Sequence, residues 1–342
     1  MFAASCRVMK RQRVVATPKT VNEQKKIETE AKSAYEQGDY IEAISNLKAL
    51  IAKEPDNPEY WGRLGSSYAQ VNQFSYAEYA YKKALKNDPK NVKAMYNLSV
   101  IYSEKGRSAN ALKMVQRALK YDPKNPLLQA SLGNVLIDKE KYDKAKILYE
   151  RIVKVKPEFD VGHYNLGVIN YQERKLDEAE KNYEDVLRIN DRDFEAKENL
   201  AAIKILKGDF EAAVSHLKDV INSNPGDDIT LENAYYNLGV AYLRMKEYRK
   251  SLEAFETALK IEPWDMSAYV NAAIICEKLG EKKKAIKYWE KYDRLLPVNK
   301  RKEEIKKRLK AMGVEYNPTP APTEEPTPEK KKKKLFNWKK KK

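Results

Sequence analysis

Apolar residues recur at the three- and four-residue spacing of amphipathic helices, and they do so in pairs of short runs. In residues 58–91, Trp61, Leu64, Gly65, Tyr68 and Ala69 fall on one face of a first helix. After a short turn near Asn72, Ala77, Tyr81, Ala84 and Leu85 fall on one face of a second. The pattern then repeats. Ala43, Ala77, Ala111, Ala145, Ala179 and Ala213 are each 34 residues apart, and after a four-residue slip Ser251 and Ala285 continue the series. Pro55, Pro89, Pro123 and Pro157 keep the same period; Asp191 stands in the next place, and Pro225, Pro263 and Pro297 resume it. Small residues recur as well, at Ala31, Gly65, Ser99, Gly133, Gly167, Ala201, Gly239 and Ala273. A small residue in the first helix and an alanine in the second let two backbones approach closely. The proline, lacking an N–H and fixed in φ, ends one unit and starts the next.

This pattern is similar to the tetratricopeptide repeat family. Trp61-Gly62-Arg63-Leu64-Gly65-Ser66-Ser67-Tyr68, followed by Ala77, Tyr81, Ala84 and Pro89, matches it position for position. Eight units are expected, at residues 24–57, 58–91, 92–125, 126–159, 160–193, 194–227, 232–265 and 266–299. The resemblance implies an all-α fold, an α-solenoid in which helix–turn–helix repeats build a right-handed superhelix of about one turn. Unit one departs from the others in its polar first helix, Glu23 to Gln37, which suits a solvent-facing end. Past unit eight, Ile305, Leu309 and Met312 form one stripe of a charged helix at 300–312, placed to cap the last repeat. The insertion Asp228-Ile229-Thr230-Leu231 is expected to lengthen the first helix of unit seven by a turn and to divide the groove into two halves.

Charge adds a second layer. The 342 residues hold 66 Lys+Arg against 50 Asp+Glu, a net charge of +16. Residues 1–22 carry +5 and residues 330–342 carry +9, whereas residues 23–299 carry only +1. The charge therefore belongs to the ends, read as a basic disordered arm at 1–23 and a polybasic aromatic tail at 330–342, joined to the repeats by a Pro/Thr/Glu linker at 313–329. The acid-free start vaguely resembles a transit peptide. A basic arm, or Met9 as the true initiator, fits it better, and no apolar stretch precedes Cys6 as a lipoprotein signal requires.

Catalytic chemistry finds little material. Cys6 and Cys276 rule out a disulfide framework and a cysteine-based zinc site, and no apolar run is long enough to span a bilayer. His163 and His216 fall in different repeats and read as packing or surface residues. Cys276 stands where other units carry Tyr68, Tyr102 or Tyr242, a core position. No catalytic residue, cofactor, metal or small-molecule substrate is expected.

In this family the first helices line a concave surface that holds a partner peptide or helix. Two places before the small residue come Asn97, Asn165, Asn199, Asn237 and Asn271, with Arg63 and Ser131 in the same place in two other units. Stacked, these make a ladder of amides able to pair with a ligand's main chain, although the same amides also suit hydrogen bonding between repeats. Tyr96, Tyr164 and Tyr236 lie beside the ladder, with Tyr171 further along unit five. The tyrosines read equally as groove contacts and as packing. The charge on this face is mixed: Arg63, Lys93 and Arg244 against Glu59, Glu195 and Glu198. The clamp for a C-terminal carboxylate, found in co-chaperone members of the family, is not expected. Asn134 and Asn165 fit it, but Ala130 replaces the lysine, and Glu195 and Asn199 stand where cations belong.

The tail sets Lys330, Lys331, Lys332, Lys333 and Lys334 before Leu335, Phe336, Asn337 and Trp338, then Lys339, Lys340, Lys341 and Lys342. Two lysine blocks around an aromatic wedge suit reversible attachment to an anionic membrane. Lysine phosphate contacts with base stacking suit nucleic acid, and an acidic protein partner or a targeting signal also fits. The absence of arginine in the tail and of a basic stripe on the repeats ranks RNA behind the membrane surface. The expectation is a cytoplasmic, non-enzymatic scaffold or adaptor, peripheral at the inner face of a membrane, that holds protein partners in its groove.

Overall fold

A computed structural model describes residues 18–296 and 303–314. It divides into two compact units between Ala145 and Lys146. The first contains α1 (Pro18–Glu36), α2 (Tyr40–Lys53), α3 (Pro58–Gln70), α4 (Phe74–Asn87), α5 (Val92–Glu104), α6 (Ser108–Leu119) and α7 (Pro126–Asp138). The division falls within α8 (Tyr142–Val155). The second contains α9 (Asp160–Gln172), α10 (Leu176–Ile189), α11 (Phe194–Lys207), α12 (Phe210–Asn222), α13 (Asp228–Arg244), α14 (Tyr248–Ile261), α15 (Met266–Lys278), α16 (Lys282–Leu295) and α17 (Glu303–Ala311). Among the described residues there are no strands. The fold is the all-α helical repeat expected, an α-solenoid of helix pairs.

Within each unit a helix packs on its successor, and a first helix also touches the next first helix, as α3 touches α5 and α13 touches α11. The core runs along the helix pairs. In the first unit it includes Leu47, Tyr60, Leu64, Tyr81, Met95 and Leu98. In the second it includes Tyr164, Tyr183 and Leu200, Leu217 and Tyr242, and Phe255 and Ile275. The recurrent alanines at 43, 77, 111, 145, 179, 213 and 285 have no exposed surface. The glycines have a stricter cause. A Cβ on Gly65 would lie 2.7 Å from the Tyr81 ring, and on Gly167 or Gly239 it would lie 2.9 Å from Tyr183 or Phe255. The ring of the second helix thus sits directly on the backbone of the first. Ser251, standing in the alanine place, donates its hydroxyl to the Gly239 carbonyl at 2.7 Å.

Local signals fix the helix ends. Asn57, Asn91, Asn125, Asp193, Asp227 and Asp265 cap α3, α5, α7, α11, α13 and α15 by accepting from backbone N–H groups of the first turn. The turn inside each pair contains one left-handed residue, at Gly38, Asn72, Gly106, Glu140, Arg174, Gly208, Lys246 and Gly280. Three of these, Glu140, Arg174 and Lys246, hold this conformation against the steric preference of a side chain.

One expectation changes. Helix α1 opens at Pro18, so residues 18–23 of the expected disordered arm are helical; proline suits a first helical position because its φ is already set. The insertion gives α13 one extra turn, 17 residues against 13 in α15. Ile305 and Leu309 of α17 pack with Trp289, Leu296 and Ala273, so the stripe covers the last helix pair.

Candidate partner-binding face

The ladder residues separate into two groups by exposure. Tyr164, Asn165, Asn199 and Asn237 are buried, Tyr164 and Asn165 completely. Asn199 Nδ2 donates to the Tyr164 hydroxyl at 3.0 Å, and Asn271 Nδ2 donates to the Tyr236 hydroxyl at 3.4 Å. Each bond joins the tyrosine of one repeat to the asparagine of the next, a brace between successive first helices. Asn165 Nδ2 donates to the carbonyl of Val161 at 2.9 Å. A side chain with no exposed surface cannot touch a ligand, so Tyr164 and Asn165 are withdrawn from the groove, whereas Asn199 and Asn237 keep 4% each.

The others keep surface. Arg63 is exposed and pairs with Glu59 at 2.6 Å. Tyr96, Asn97 and Asn134 in the first unit are partly exposed, as are Tyr171, Tyr236 and Asn271 in the second. Asn97 Nδ2 reaches Ser66 Oγ at 3.5 Å. Desolvation raises the Tyr96 and Tyr171 phenols above their ordinary value, so both are neutral donors at physiological pH.

Tetratricopeptide repeat profiles match residues 29–91, 80–113, 104–164, 162–193, 232–265 and 267–297. The chain belongs to the tetratricopeptide repeat family. Its stacked repeats form a scaffold for protein–protein interaction. A tetratricopeptide repeat protein from Parabacteroides merdae is similar in structure, with a TM-score of 0.58 and 18% identity over 74% of this chain and 99% of that one. A chain of the APC/C hetero-tetramer Cut9–Hcn1 is similar with a TM-score of 0.61 and 14% identity, over 82% of this chain and 55% of that one. Both likenesses concern the fold. No curated protein matches the chain.

Several side chains that looked reactive have structural duties in these repeats. His163 contacts the Pro157 carbonyl through Nε2 at 2.8 Å. Trp61 Nε1 makes the same bond to Pro55, Gln129 Nε2 to Pro123 and the Tyr269 hydroxyl to Pro263. Each lies six residues after its proline and ties the helix to the preceding loop. The Cys276 thiol is buried and pushed up to about 11 by desolvation, with neighbouring Glu281 adding to the rise, so it stays protonated. Among the described residues no helix is long and apolar enough to cross a membrane.

One feature of this face was not resolved by sequence reasoning. Glu198 occupies the register in which other first helices carry Tyr96, Tyr164 and Tyr236. It is 8% exposed, and burial, reinforced by Glu195, Asp227 and Glu232, pushes its pKa up to about 9. An acid in the place of a tyrosine was the available signal; its burial was not visible. The polybasic residues, Lys330 to Lys334, Phe336, Trp338 and Lys339 to Lys342, lie outside the described residues.

Proposed function

We propose that this chain is a non-enzymatic adaptor that holds extended partner segments on the first-helix face and is directed to an anionic membrane surface by its lysine-rich tail. The observation that supports the first half is the set of polar and aromatic side chains left with surface on first helices within each unit. In the first unit these are Arg63, Tyr96, Asn97 and Asn134; in the second they are Tyr171, Tyr236 and Asn271. Amides and phenols there offer donors and acceptors to a peptide main chain without demanding one side-chain sequence. A partner pull-down with Asn97→Ala, Asn134→Ala and Asn271→Ala combined should lose partners while helicity stays intact. An unchanged partner set would overturn the assignment.

The second half rests on the nine lysines around Phe336 and Trp338. Each lysine near an anionic leaflet contributes about 1 kcal/mol before screening, and the aromatics add interfacial anchoring. The full chain should co-sediment with anionic but not neutral vesicles, and replacing the tail lysines by glutamine should abolish this. No lipid binding at low salt sinks the membrane reading. Retention on RNA, with a steep salt slope lost in the same variant, would favour a ribonucleoprotein adaptor instead.

A further inference from the structure

The repeats are close to neutral in sum, but their charge is uneven. Residues 74–124, from the start of α4 to the loop after α6, hold eleven basic residues against four acidic ones, a net +7. Helix α6 contains no acid. The one acid of α4, Glu78, is 9% exposed and is already engaged by Lys82, Lys105 and Arg107 at 2.7, 2.7 and 3.3 Å. Cations are left over. Lys83 and Lys86 on α4, and Lys113, Arg117 and Lys120 on α6 and at its end, form no ion pair among the described residues. Lys83 and Lys86 stand in the register of Arg117 and Lys120, one repeat apart. Arg117 donates to the carbonyl of Pro89, in the loop after α4, which ties the end of α6 to the end of α4. The register of Lys83 continues as Arg151 and then turns acidic, at Asp185 and Asp219. The expectation that the repeats lack a basic stripe therefore fails on α4 and α6.

Aromatic rings lie among these cations. Tyr76 and Tyr79 share one face of α4 with Lys83 and Lys86, at spacings of three and four residues. The two tyrosines are 60% and 54% exposed. Tyr76 stacks on Tyr68 with ring centroids 5.2 Å apart, so one side of its ring is packed and the other is open to water. Tyr79 meets Trp61 edge-on at 5.8 Å, and Lys83 Nζ lies 5.4 Å from the centre of the tyrosine ring and 5.9 Å from that of the tryptophan. The combination selects the partner more narrowly than the charge does. An acidic peptide would use the cations and leave the open ring idle. An anionic membrane favours apolar groups that project and insert, whereas Tyr76 is propped on the ring beneath it. A flat, open ring beside unpaired cations suits a flat base on a phosphate chain.

We propose that the second-helix face of α4 and α6 binds single-stranded nucleic acid, with Lys83, Lys86, Arg117 and Lys120 on phosphates and Tyr76 stacking on a base. This site is separate from the first-helix face and from the lysine-rich tail, and the inference rests on neither.

The test uses the full-length chain with its nine tail lysines replaced by glutamine, so that the tail contributes nothing, and a labelled oligouridylate at low salt. This chain should bind the oligonucleotide. Lys83→Gln, Lys86→Gln, Arg117→Gln and Lys120→Gln combined should weaken binding at least tenfold and flatten its salt dependence by roughly three units of logarithmic slope. Tyr76→Ala should weaken it at least about fivefold with the slope unchanged, and Tyr76→Phe, which keeps the ring, should bind as the parent does. Lys287→Gln with Lys291→Gln on α16, outside the face, should change nothing. Photo-crosslinking of thiouridine-substituted RNA to the unmodified wild-type chain should mark Tyr76 or Tyr79, and this needs no variant to fold. No binding by the tail-neutral chain would overturn the proposal, as would binding that survives the four cation replacements. Equal competition by an RNA duplex, whose bases cannot reach Tyr76, would overturn the single-strand assignment. Co-sedimentation of the tail-neutral chain with anionic vesicles, lost in the four-cation variant and without oligonucleotide binding, would give the face to a membrane instead.

Discussion

The junction between α9 and α11 and the junction between α11 and α13 are built on the same register and solve it differently. At the first, Tyr164 is fully buried, stacks edge-on against Tyr183 with ring centroids 5.5 Å apart, and accepts from Asn199. At the second, Glu198 fills the tyrosine place, makes no such bond, and has acids for neighbours. A repeat array needs every junction to bury apolar surface, but it does not need every junction to be optimised. The difference teaches where to look in a repeat protein. Positions that follow the period support the stack, and a position that breaks the period at a stability cost is the candidate for a specific task.

The largest test of that contrast is truncation on each side of it. Tyr164→Ala should cost about 3–5 kcal/mol by loss of a fully buried aromatic. Glu198→Ala should cost far less and at alkaline pH should stabilise; equal losses in denaturant titrations would erase the distinction. The pH dependence comes next. Glu198 keeps its proton in the folded chain up to about 9, whereas the unfolded group ionises near the ordinary glutamate value of 4.5. Between those values the folded state binds more protons, so this residue's contribution makes stability fall as pH rises. Melting curves of Glu198→Gln should flatten that fall relative to wild type, and an unchanged slope would refute the burial argument. Smaller still, Tyr164→Phe should cost about 1–2 kcal/mol by stranding the buried Asn199 amide, while Glu198→Tyr raises the melting temperature by restoring the brace. The smallest effect lies outside both junctions. Arg174→Gly and Lys246→Gly relieve left-handed backbone, at φ of 63° and 62°, and should each gain roughly 0.5–1 kcal/mol in chemical denaturation.

Most of the fold was legible because its determinants are periodic. Ala77, Gly65 and Pro89 each recur with the same spacing, and spacing survives in a single sequence. The left-handed turn residues were harder, since glycine at 38, 106, 208 and 280 is replaced by Asn72, Glu140, Arg174 and Lys246, which share a conformation and not a chemistry. The loop ties were hidden for the same reason: Trp61, Gln129, His163 and Tyr269 have in common only a polar hydrogen-bonding atom and a distance from proline. Of the ladder, the register was readable and the exposure was not. Asn97 keeps surface and Asn165 has none, although both are asparagines in one frame. What decides it is three-dimensional packing, which spacing along the chain does not carry.

The four-residue insertion in α13 has a consequence of phase. A helix turns about 100° per residue, so four residues return a side chain to within about 40° of its starting direction. Asp228–Leu231 form the first turn of α13, so the preceding loop enters from nearly the same side as it would without them, and the seven-residue run from Glu232 to Leu238 still presents its buried side to the stack. Three or five added residues would bring that loop in about 60° or 140° further around the helix. An array of this kind can thus be edited in length only in near-whole turns, and a helix lengthened by one turn is among the few local changes that alter one repeat without displacing the next.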